Sequence, residues 1–131
     1  MLIIESRERA RRRLVAAAAL YLMGGLLSLI AFVLALDAEV LASGALILLA
    51  FAFLSASHSL SKSPAIARAA DTGLVKASLI IVIFTSMIGS LTGALVMLDD
   101  PLRGLLASVA ALSVFSHTIL IYLQIQAHRS V

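Results

Sequence analysis

His117 is an ionisable side chain set well inside a long apolar stretch, about six residues or roughly 9 Å from its end. Ser113 and Gln124 stand on the same helical face at i−4 and i+7. An imidazole in that position can relay a proton, hold a ligand or make an inter-helix hydrogen bond, and an ionisable group within a membrane span is a functional-site candidate by default. Tyr21 and Thr85 lie at similar depths in two other apolar stretches, and His58 closes a fourth. The spacing predicts that Tyr21, Thr85, Ser113, His117 and Gln124 gather around a polar cavity open at one membrane face. The plainer expectation is a structural bond from His117 to Tyr21 or to a backbone carbonyl of the second or third span. An imidazole left without partners in hydrocarbon would cost several kcal/mol.

Other chemistry finds little support. His58 and His117 could ligate a b-type haem axially, but that requires equal depth, and His58 counts about two helical turns nearer the end of its span. No cofactor is therefore expected. The chain has no cysteine, which removes thiolate nucleophiles, thiolate metal sites and disulfides. None of the seven acids falls within an apolar stretch, so a membrane-embedded acid pair is missing, as is the midplane charge of most secondary transporters. No G-x-S-x-G motif is present. The expectation is a non-enzyme with no catalytic residue and no metal site.

The elements that carry these residues follow from composition. Of 131 residues, 62% are hydrophobic and 13% charged, and the mean hydropathy is +1.11. A soluble domain of this size could not hide so much apolar surface. That excludes a soluble enzyme, a nucleic-acid-binding domain and a disordered chain, and leaves an integral membrane protein of the cell membrane. Four uncharged stretches, at 14–36, 40–57, 77–98 and 105–123, are long enough to cross a hydrocarbon core of about 30 Å as helices. No ten-residue alternation suggests a barrel. The prediction is one all-α transmembrane domain over 1–131, four helices in an up-down bundle.

The connectors are short except for 58–76. There Ser63 and Pro64 read as the start of a small interfacial helix and Gly73 as its stop. Pro101 suits the first turn of the last helix, with Asp99 or Asp100 as its N-cap.

Nine of the ten basic residues fall on one side if the spans alternate: Arg7, Arg9, Arg11, Arg12, Arg13, Lys62, Arg68, Lys76 and Arg129. Arg103 alone sits opposite, among Asp37, Glu39, Asp99 and Asp100. The positive-inside rule then places both termini and the 58–76 connector in the cytoplasm. The first apolar stretch exceeds the 7–15 residues of a signal-peptide core, so it is expected to remain as a span. The net charge of +3 resides in this membrane anchor, and no nucleic-acid partner is expected. Asparagine and tryptophan are absent and glutamine occurs twice, a composition compatible with a thermophilic source and equally with a GC-rich genome.

Met23-Gly24-Gly25 and Met87-Ile88-Gly89 recur 64 positions apart, and Ser57-His58 and Ser116-His117 recur 59 apart. Duplication of a two-helix hairpin and chance matching in a Leu/Ala/Ser/Gly-rich alphabet both remain open. Small residues form helical stripes at Gly24 and Ser28, at Gly89 and Gly93, and at Gly104 and Ser108, spacings that let backbones approach. The functional expectation is a small non-catalytic membrane subunit that packs through these faces against partner proteins or itself. The alternative is a small homo-oligomeric channel or transporter with a path lined by Ser, Thr, Tyr and His.

Overall fold

The computed structural model describes residues 2–129. Its helices are α1 (Leu2–Leu36), α2 (Val40–Leu60), α3 (Pro64–Ala69), α4 (Gly73–Met97) and α5 (Pro101–Arg129), with no strand among the described residues. All but α3 are long and apolar enough to cross a membrane. The side chains of Arg7, His128 and Arg129, and residue Val131, lie outside the described residues.

Local chemistry explains where the helices stop. After α1, Ala38 adopts a left-handed conformation (φ 67°). The Glu39 amide bonds the Leu34 carbonyl at 2.9 Å and the Ala38 amide bonds that of Ala35 at 3.2 Å. This pair of bonds is the Schellman pattern, with alanine where glycine is usual. In the next connector, Ser63 and Pro64 do begin α3, but Gly73 is the first residue of α4 and not the stop of α3. The reason is Thr72, whose hydroxyl accepts from the Val75 amide at 3.2 Å and caps α4. Lys76 pairs with Asp71 at 2.9 Å, which lets the helix begin before the apolar stretch does. At the start of α5, Asp100 accepts from the Arg103 amide at 3.4 Å.

Packing follows a heptad rhythm. On α2 the buried row is Ser43, Ile47, Ala50, Leu54 and Ser57, with steps of four and three. It meets α1 at Ala17, Gly24 and Ala31, three residues spaced by sevens. Small residues dominate this contact, as expected of helices that span a membrane, which gain little from hydrophobic transfer and must gain from close contact. Helix α1 runs antiparallel to α2 (Ala17 beside Ser57, Ala31 beside Ser43) and to α5 (Tyr21 beside Thr118, Ala35 beside Arg103). Helices α2 and α5 are therefore parallel to each other.

The bundle is not a closed square. Helix α5 packs on α1, α2, α3 and α4, whereas α4 packs substantially on α5 alone. Accordingly 56% of an 18-residue apolar stretch of α5 is buried, against 17% of the equivalent stretch of α4. Between α1 and α4 runs a groove of 590 Å³, floored by Ala110, Ala111 and Val114 of α5.

Candidate functional site

Each small-residue position meets a specific neighbour. A Cβ on Gly24 would lie 2.7 Å from Leu54 Cγ, and one on Gly89 would lie 3.2 Å from Ala111 Cβ. A Cβ on Gly93 would lie 2.6 Å from the backbone nitrogen of Ser108, and one on Gly104 would collide with the backbone of Met97. Gly24 thus joins α1 to α2, while Gly89, Gly93 and Gly104 join α4 to α5. Ser108 is buried, its hydroxyl 3.4 Å from the Ser90 carbonyl. Among these positions, Gly89 and Ser28 also line the groove between α1 and α4. Ser28 is buried, and its hydroxyl has no hydrogen-bond partner among the described residues.

The polar residues do not converge on one cavity. Tyr21 and Thr118 hydroxyls meet at 2.7 Å between α1 and α5. His117 faces α2, not Tyr21. Its ring is 6% exposed, Nδ1 lies 2.7 Å from the Ser113 carbonyl, and Nε2 lies 3.2 Å from the Ser55 hydroxyl. A carbonyl can only accept, so Nδ1 carries the proton, and in the neutral ring Nε2 accepts from Ser55. The ring of Phe51 stands edge-on to His117 at 4.9 Å between centroids and 80° between planes.

Thr85 and Tyr21 both line the groove between α1 and α4, whereas Ser113, His117 and Gln124 do not. Thr85 is exposed on the groove wall and donates to the Ile81 carbonyl of its own helix at 2.8 Å. The cause is rotational: α4 turns its Leu79, Ser86 and Gly93 row to α5, and Thr85 sits about 100° away from that row. Ser113 is buried, and its own hydroxyl has no partner among the described residues. Gln124 is half-buried, two turns beyond His117.

Two seams hold the inter-helix bonds made by Tyr21 and His117. One joins α1 to α5 through Tyr21 and Thr118. The other joins α2 to α5 through Ser55 and Phe51, which both meet the His117 ring. Comparison with known protein families, curated proteins and solved structures finds no match to this chain.

Sequence reasoning missed Ser43 and Ser57, which donate to the Ala31 and Ala17 carbonyls of α1 at 2.7 Å each. They are spaced by two heptads on the buried face of α2, a pattern that could have found them. Thr118 and Ser55 carry no comparable signal, since the partner of each is set by the register between helices. No group of three or more histidine, cysteine or acidic side chains capable of holding a metal occurs among the described residues.

Proposed function

We propose that this chain is a small non-catalytic subunit of a cell-membrane complex, inserted with both termini in the cytoplasm, which packs through its helix faces against partner proteins or copies of itself. The groove between α1 and α4 carries this reading. It spans Tyr21 to Phe32 on α1, about 16 Å along the helix axis, and its lining is almost wholly apolar. Gly25, Ser28 and Gly89 keep it open to close approach, and nothing in the chain stands within 4 Å of where a Gly25 side chain would project. Gly24, Gly93 and Gly104 are taken up by α1–α2 and α4–α5 packing, whereas Gly25 leaves the groove open to an external helix.

A homo-oligomeric channel or transporter is the alternative. Tyr21, Thr85, Ser86 and Thr92 on the groove walls would then line its path. Photo-crosslinking side chains at Leu22 and Ile88, compared with the exposed Leu41 and Leu48 of α2, separate the readings. Crosslinks from Leu22 and Ile88 to a different membrane protein support a partner-bound subunit; crosslinks to a second copy fit both self-packing and a channel, and ion or solute flux in vesicles of the purified protein then decides for the channel. A monodisperse monomer in mild detergent and in membranes, without groove crosslinks, overturns both.

A further inference from the structure

The α2–α5 seam holds a feature that helix packing does not use. His58 Nε2 is buried and has no hydrogen-bond partner among the described residues. It lies one helical turn beyond Ser55 on α2, and Ser55 is the residue bonded to His117 Nε2. Phe51, Ser55 and His58 form one stripe along α2 at i, i+4 and i+7, and the first two touch the His117 ring. Because α2 and α5 run parallel, both histidines approach the seam near the same end of the bundle.

The His117 ring is already set as a metal ligand would be. Metal-binding histidines characteristically donate the second ring N–H to a backbone carbonyl or carboxylate, which fixes the tautomer and points the lone pair at the metal. His117 Nδ1 makes that bond to Ser113 at 2.7 Å. Its Nε2 lone pair is engaged at 3.2 Å by a neutral serine hydroxyl, a bond that a cation can displace.

We propose that His58 and His117 form a two-imidazole site, through their Nε2 atoms, for one monovalent soft-metal cation of the copper(I) class. The donor set selects the charge and the coordination number. Zinc asks for four ligands, usually including thiolate, carboxylate or further imidazoles. The seam adds two neutral hydroxyls, from Ser55 and Ser113, to its two nitrogens. Neither ring forms an ion pair with a carboxylate among the described residues. A divalent ion would stay uncompensated in this apolar surrounding. A singly charged ion that accepts two nitrogen donors fits. Binding exchanges the Ser55–His117 hydrogen bond for two metal–nitrogen bonds, with no change of oxidation state.

The test uses silver(I), a redox-stable probe of this class, titrated into the full-length detergent-solubilised protein in chloride-free buffer. Absence of cysteine removes the usual competing sites. The wild type and His128→Gln are expected to bind one equivalent. His58→Gln should weaken binding by about tenfold or more, and His58 makes no side-chain hydrogen bond whose loss would unfold the chain. Ser55→Ala, which removes the competing hydroxyl, should tighten binding, an effect that a purely structural serine would not produce. Failure of the wild type to bind overturns the site. So does His58→Gln binding as well as the wild type, or binding that follows His128 or the methionines.

Discussion

Arg103 Nε donates to the carbonyl of Ala35 at 3.3 Å, joining the first turn of α5 to the last turn of α1. The same guanidinium donates to the Leu36 carbonyl and lies 3.8 Å from Asp100. The exposed carbonyls of a helix C-terminus carry partial negative charge, so a cation there satisfies both hydrogen bonding and the helix dipole. The one basic residue that departs from the charge bias is thus a C-terminal cap supplied by another helix.

Arg103→Ala should accordingly lower stability by about 1–2 kcal/mol, since charge-assisted bonds to carbonyls are lost at a partly exposed site. Arg103→Lys should recover part of that loss, because an ammonium can reach one carbonyl but not fork across two. Thermal unfolding in detergent measures both. Equal stability of wild type and Arg103→Ala would show that the cap contributes nothing.

The glycines divide into two groups by what a methyl would meet. Gly93→Ala would press against the Ser108 backbone, which cannot rotate away, and should destabilise by about 1–3 kcal/mol. Gly44→Ala meets nothing within 4 Å and should be neutral or stabilising by up to about 1 kcal/mol through the reduced freedom of the unfolded chain. A thermal-shift comparison of the two variants is decisive, and similar losses in both would contradict the close α4–α5 approach.

Ala38→Gly should stabilise the protein, by roughly 1 kcal/mol, since a Cβ in the left-handed region crowds the following carbonyl. Removal of that strain outweighs the added flexibility of glycine in the unfolded chain. A melting temperature at or below the wild-type value would place Ala38 outside a strained cap.

Tyr21 and Thr118 should couple. In a double-mutant cycle with Tyr21→Phe and Thr118→Val, the interaction energy is expected near 0.6 kcal/mol, the average for hydrogen bonds between membrane helices. Additive losses would mean that the two hydroxyls find equivalent partners elsewhere.

Reporter fusions test the orientation. Fusions after Asp37 and after Asp99 should report the exterior, and fusions after Lys62 and at Val131 the cytoplasm. An external reporter at Val131 would overturn the reading of the charge bias.

That the chain has four helices long and apolar enough to span a membrane was legible in the sequence, because burying helix in hydrocarbon requires an uncharged run of fixed length, and four such runs exist. The 40–57 run became α2 (Val40–Leu60) with its start unchanged, since Glu39 interrupts the apolar pattern there. Turn chemistry was partly readable as well, in Pro64 and Pro101. The close-contact glycines were visible as stripes, because backbone approach requires a small residue whatever the partner.

Their partners were not visible. In a soluble helix the polar face marks the outside, but these helices are apolar on nearly every side, so the pattern does not say which face meets protein and which meets lipid. Only the assembled bundle decided that α5 lies at the centre and α4 at the edge. Hydrogen-bond choice depends on the same relation. Tyr21 reaches Thr118 and His117 reaches Ser55 because a helix turns 100° per residue, so adjacent side chains on α5 face different neighbours. The residue types announced that polar partners were needed within the membrane; the rotation and register of α5 between α1 and α2 assigned them.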